Sequence, residues 1–165
     1  MKLELIKPIK ALNKAYLKEK VSRNHIELFK KNLQQLLGRI NEQESEEHLK
    51  NVIADFLKDT WYKDQFEINT KDRNDLVIHT GKTTKEAVGV ILEVKKPSNK
   101  AEMMTAARPN TKALQELVLY YLRERFDHSN TDIKYLVVTN IYEWYIIDEV
   151  WFEKNVFRNS KLKKD

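Results

Sequence analysis

The chain has 165 residues, 41% hydrophobic and 33% charged, with a net charge of +5, the size and composition of one folded domain rather than a disordered tail. It holds no cysteine, so disulfide scaffolds, thiol catalysis, zinc ribbons and iron–sulfur clusters are excluded together. No apolar run reaches the roughly 18 to 20 residues of a membrane span, and the opening MKLELIKPIK lacks the apolar core of a secretory signal. A soluble, cytoplasmic domain with no membrane partner is the expectation.

The positive charge is uneven. Residues 1–40 carry ten Lys/Arg against three Glu, and residues 41–60 carry two Lys against six acids. A basic segment suits a polyanion partner, because Lys and Arg displace counterions from phosphates, and it equally suits a solvated helical face. Within 24–40, Ile26, Phe29, Leu33, Leu36, Leu37 and Ile40 recur at helical spacing. After a break at NEQES, Leu49, Val52, Ile53, Phe56 and Leu57 form a second apolar stripe, with Ser45 as its candidate cap. From about residue 65 the period changes to two. QFEINT, NDLVIHT and EAVGVILEVKK read as strands, and Pro97 stops the third. The polar stretch 97–110 reads as a crossover with room for one short helix. TKALQELVLYYLRERF reads as a helix, IKYLVVTN as a strand buried on both faces and YEWYIID as another strand; EVWFEKNVF is ambiguous.

This order predicts an α/β fold: a central mixed sheet of four to five strands flanked by helices. Three Gly and three Pro argue against an internal linker. Residues 1–40 are expected as a basic helical segment packed on the core, 41–157 as the core, and 158–165 as a flexible tail or the cut end of a longer chain.

The stretch Ile91-Leu92-Glu93-Val94-Lys95-Lys96-Pro97 is the most informative. Alternation in a strand puts Glu93 and Lys95 on one face and Leu92 and Val94 on the other. Charged groups at the end of an apolar strand suggest a position near the sheet edge with water, where Lys95→Ala would cost no more than about 1 kcal/mol. Asp75 opens the preceding apolar run. In an antiparallel pair Asp75 and Glu93 lie side by side, and a hard cation such as Mg²⁺ relieves their repulsion. Lys95 beside it could position or deprotonate a water.

Asp75…Glu93-Val94-Lys95 within an α-β-β-β-α-β order resembles the PD-(D/E)XK nuclease superfamily, although Arg73-Asn74 stands where a proline often precedes the aspartate. EEHLKNVIADFLKDTWY, NDLVIHTG, GVILEVKKP, NTKALQELVLYYLRER and YLVVTNIYEWYIID are together similar to the N-terminal nuclease region of single-chain type II restriction–modification proteins. The resemblance covers about residues 40–155. It implies a restriction-endonuclease-like core, a Mg²⁺-dependent endonuclease activity and double-stranded DNA as partner. It also implies linked methyltransferase and target-recognition domains outside this sequence, and transient dimerisation for double-strand cleavage.

By the same resemblance, Asp75, Glu93 and the Val94 carbonyl ligate Mg²⁺ and Lys95 serves the attacking water. Glu46 on the first core helix and Gln115 on the 111–126 helix are further candidates; a helix-dipole acid and a helix-edge amide explain them as well. Lys96, Lys100, Arg108 and Lys112 are the candidate phosphate contacts, and a solvated loop is their alternative. His25, His48, His79 and His128 show no metal-ligand spacing, though His79 lies where it could touch phosphate. Tyr142, Trp144, Tyr145, Trp151 and Phe152 could stack on bases or simply pack. A catalytically silent binding module of the same fold is the alternative to an enzyme.

Overall fold

The computed structural model describes residues 3–71 and 76–158. Its first element, α1 (Pro8–Ala11), is one proline-initiated turn. The first long helix, α2 (Arg23–Arg39), starts where the Ser22 hydroxyl accepts the His25 amide at 3.3 Å. The second, α3 (Glu46–Leu57), starts in the same way, with Ser45 accepting the His48 amide at 3.2 Å. It runs on through a π-helical turn, Lys58–Tyr62. There Asn32 of α2 donates to Thr60 at 3.2 Å, and Trp61 meets Phe29 and Phe56 with ring centroids 5.7 and 5.5 Å apart.

Residues 1–40 are expected to pack on the core, and among the described residues that packing is confined to Leu3 and the stretch from Phe29 onward. Phe29, Leu33, Leu36 and Ile40 dock on α3, whereas residues 4–28 are exposed throughout. Leu3 ties the start of this stretch down: it packs against the core and donates to the Ala106 carbonyl at 3.2 Å. Among the described residues, no helix is long and apolar enough to cross a membrane.

Five strands form one mixed sheet in chain order: β1 (Ile68–Asn69), β2 (Leu76–His79), β3 (Val88–Val94), β4 (Tyr135–Thr139) and β5 (Trp144–Asp148). Neighbours are antiparallel except β3 and β4, which run parallel. Parallel neighbours need a crossover, and α4 (Lys112–Phe126) supplies it. A register shift between Ile78 and His79 interrupts the β2–β3 ladder. His79 fills that irregularity. It is buried, with Nδ1 2.7 Å from the Glu86 carbonyl and Nε2 2.8 Å from Asn69 Oδ1. Its ring is committed to the sheet rather than offered to phosphate.

Strand alternation divides the core in two. Leu92, Val94 and Val137 face α3 through Leu49, Ile53 and Leu57. Ile91, Leu136 and Val138 face α4 through Leu114, Leu117 and Tyr121. The 97–110 crossover forms turns and no helix, anchored by buried Met103 and Met104. The ambiguous tail is α5 (Glu149–Phe152), capped by Asp148, followed by a π-helical turn over Glu153–Phe157. Phe152 is fully buried, Tyr142 and Trp151 are exposed, and Trp144 donates to the Ile141 carbonyl at 2.8 Å.

Tyr121 donates to Glu149 Oε1 at 2.6 Å, joining α4 to α5. Burial first, then the hydrogen bond and charge of Glu149, hold its pKa above the ordinary tyrosine range. The folded state therefore keeps this proton longer than the unfolded chain, whose tyrosines ionise near about pH 10. The resulting stability is complete below that pH and is lost as pH rises beyond it. The urea midpoint should fall more steeply between about pH 9 and 11 in the wild-type protein than in Tyr121→Phe. Equal slopes would show that the pair contributes nothing of this kind.

Candidate active site

The Glu93–Lys95 pair lies at the carboxyl end of β3, and β3 is the middle strand of the sheet, not an edge. β2 and β4 flank it, α4 covers the face that carries Ile91 and Glu93, and Glu93 and Lys95 are 0% and 3% exposed. The expectation of a wet sheet edge is therefore wrong. An E-x-K pattern looks the same in an edge strand and a central one; only the pairing partners differ.

Two buried ionised groups need partners. Lys95 Nζ lies 2.6 Å from Glu93 Oε1 on its own strand and 2.6 Å from Glu116 Oε2 on α4. Glu102, in the turns after β3, stands 3.9 Å from the same nitrogen and 3.2 Å from Lys112 Nζ. The backbone amide of Lys95 donates to the Thr139 carbonyl at 2.9 Å, which fixes where the side chain starts.

Electrostatics follow from this geometry. Burial by itself lowers the pKa of Lys95, but the hydrogen bonds to Glu116 and Glu93 and the charges of Glu93 and Glu46 outweigh it and raise the pKa above the ordinary lysine value. An ammonium held this firmly stays protonated at neutral pH, which counts against the expected deprotonation of water by Lys95. Burial works against the Glu116 carboxylate, and contacts with Lys95 and Glu93 and the charge of Lys112 overcome it, holding its pKa below the usual range. Glu102 is likewise lowered, against burial, by Lys112 and Asn99 and then by Lys95.

The expected site residues fare differently. Glu93 and Lys95 meet. Glu46, in the first turn of α3, is near enough to raise the Lys95 pKa by its charge. Val94 pairs with Thr139 of β4, its side chain in the α3-side core. Asp75 lies outside the described residues; Leu76, which follows it, pairs with Leu92. Gln115 does not join the site: it is exposed, and its amide donates to Asn110 at 3.0 Å. The α4 residue that does join is its neighbour Glu116. The signal lay in the register, since Glu116 falls between buried Ala113 and Tyr120 on the apolar stripe, where an acid is out of place.

Among the basic candidates, Lys112 is committed to Glu102. The Arg108 guanidinium braces the crossover by donating to the carbonyls of Lys100 and Ala101 at 2.9 and 3.4 Å. Lys100 is exposed and Lys96 half-buried. A separate polar cavity of about 300 Å³ opens at the far end of β3, by Val88, with Lys71, Glu124 and His128 in its wall. It does not coincide with the Glu93–Lys95 cluster. Among the described residues, no group of three His, Asp or Glu side chains stands ready around one point for a metal ion.

Residues 6–165 match a family described as a domain of unknown function, DUF7149. No curated protein and no solved structure matches the chain.

Burial of Lys95 changes what its removal should do. Lys95→Ala leaves Glu93 and Glu116 facing each other without the charge between them, and breaking a buried pair costs about 3–5 kcal/mol, not the 1 kcal/mol of a surface change. Urea denaturation should show that loss, and adding Glu116→Gln to Lys95→Ala should recover part of it by removing one of the two like charges. A loss below about 1 kcal/mol would mean that the pair is effectively solvated.

Proposed function

We propose that this chain, which belongs to the DUF7149 family, is a Mg²⁺-dependent endonuclease domain with a restriction-endonuclease-like core, hydrolysing phosphodiesters of double-stranded DNA at the carboxyl end of β3. The observation that carries this reading is the convergence of Glu93, Lys95 and Glu116 there, the end of a parallel strand pair at which open α/β sheets gather ligands. The helix, three strands, helix, strand order, with α4 crossing between β3 and β4, supports it.

Donor chemistry fits the ion. Glu93 is a buried oxygen donor already engaged with a positive charge, which suits a hard divalent cation keeping several of its waters. Glu93 and the Val94 carbonyl would hold it, with Asp75, on the strength of the motif alone, as a further ligand. The chemistry supplied by a bound Mg²⁺ is polarisation of a phosphoryl oxygen and activation of water. Lys95 contributes a fixed ammonium, a donor for the attacking water or for charge developing on the phosphate oxygens. As the water oxygen bonds to phosphorus it would release one proton to solvent, while one ester P–O bond breaks and the departing alkoxide takes up a proton from solvent. Lys96 and Lys100 supply positive charge at the rim for the strand's other phosphates.

A catalytically silent nucleic-acid-binding module is the second reading, favoured by the way Lys95 already satisfies two carboxylates as an internal salt bridge. A supercoiled-plasmid assay separates the two. Nicking is expected with Mg²⁺ or Mn²⁺, abolished by chelation and reduced at least roughly 100-fold in Glu93→Gln, the scale for removing one group that stabilises a transition state. DNA binding should weaken with salt by about 0.9 log units per log unit of salt for each phosphate neutralised. Salt-dependent binding without any nicking would favour the silent module.

A further inference from the structure

We propose that Glu116 is a positioning residue for Lys95: it is the carboxylate that receives the ammonium when a divalent cation occupies Glu93. This rests on the reading of Glu93 as a cation ligand. One ammonium lies 2.6 Å from an oxygen of each carboxylate, so a cation arriving at Glu93 meets an existing positive charge on the same group. Like charges at contact distance in a site closed to water repel strongly. The ammonium must therefore have somewhere else to go.

The two carboxylates are unequal in the way such a transfer needs. The Glu93 side chain is 1% exposed and sits on the middle strand, whereas the Glu116 side chain is 30% exposed and sits on the covering helix. Moving the ammonium toward Glu116 takes it toward water, so the transfer lowers its desolvation while keeping one charged hydrogen bond. Among the described residues, Glu102 stands farther from the ammonium at 3.9 Å and is engaged by Lys112 at 3.2 Å, and Glu46 acts on it through charge alone. Without the Glu116 carboxylate, Glu93 is the one carboxylate left at 2.6 Å from the ammonium among the described residues, and Lys95 holds it against an incoming cation. Glu116 thus favours cation binding without ligating the cation.

This mechanism makes a statement about coupling that neither a ligand nor a purely structural residue would satisfy. Calorimetric Mn²⁺ titration of the 165-residue chain, Glu116→Gln, Lys95→Met and the double variant reads it. With Lys95 present, Glu116→Gln should weaken Mn²⁺ binding at least about tenfold; in the Lys95→Met background it should change affinity by less than about twofold, the non-additivity of two residues acting as one device. Lys95→Met alone should bind Mn²⁺ more tightly than the wild-type protein. Equal weakening in both backgrounds would make Glu116 a ligand, and no weakening in either would make it structural; each overturns the proposal while leaving Glu93 a cation ligand. Absence of Mn²⁺ binding in all four proteins overturns both together. Circular dichroism checks each variant, and if Lys95→Met does not fold, Lys95→Gln, whose amide can still donate to both carboxylates, completes the same cycle.

Discussion

An ammonium held between two carboxylates in the middle of a sheet sets the terms for the rest of this structure. Lys95, Glu93 and Glu116 are charged groups drawn largely out of water, and each alone would cost several kcal/mol to bury. Together they offset one another through two 2.6 Å contacts. The arrangement needs β3 to be central and α4 to cross over it, because Glu93 comes from the strand and Glu116 from the helix that covers it. Fold and site are therefore one constraint: the parallel β3–β4 pair demands the crossover, and the crossover delivers the second carboxylate.

The two ends of β3 are finished in different ways. At the amino end, Asn130 donates to the Val88 carbonyl at 2.9 Å and to Glu124 at 3.0 Å, and Lys71 meets the buried Glu124 at 2.7 Å. Asn130, Glu124 and Lys71 thus form one connected network, which locks the end of α4 to the sheet. At the carboxyl end, the hairpin after β4 carries Ile141 at φ 77°, a left-handed conformation that a β-branched residue adopts only when its surroundings require it. Its side chain is buried on the α3 side, its amide donates to Thr139 Oγ1 at 2.9 Å, and its carbonyl accepts from Trp144. The amino end has its own left-handed residue, Ser129 at φ 52°, so backbone of this kind occurs at both ends of β3.

The basic stretch ahead of α2 has a different character from the core. Leu5, Ile6, Ile9 and Val21 are each more than 60% exposed, interspersed with lysines. Apolar residues there do not follow one helical stripe, and the α2 stripe that follows them does. Hydrophobic content measured over the first forty residues merges the two and suggests more packing than occurs.

What the sequence determines by itself is whatever depends on neighbours in the chain. Helical spacing and the Ser45 cap marked α2 and α3, a period of two marked β1 to β3, the apolar run IKYLVVTN marked β4, and the E-x-K spacing put Glu93 and Lys95 on one face. Those features arise from backbone geometry over a few residues. Burial of Lys95, the replacement of Gln115 by Glu116 and the absence of a helix in 97–110 depend on contacts across the chain. A one-residue step along α4 rotates a side chain by about 100°, a quarter-turn or more, and so decides whether an amide or a carboxylate meets the lysine. Only the docking of α4 on β3 sets that angle. Likewise, strand order alone decides that the charged end of β3 is enclosed between β2 and β4 rather than left at an edge. Long-range packing determined both, because the energy of a buried charge is set by the groups around it in space and not by its neighbours along the chain.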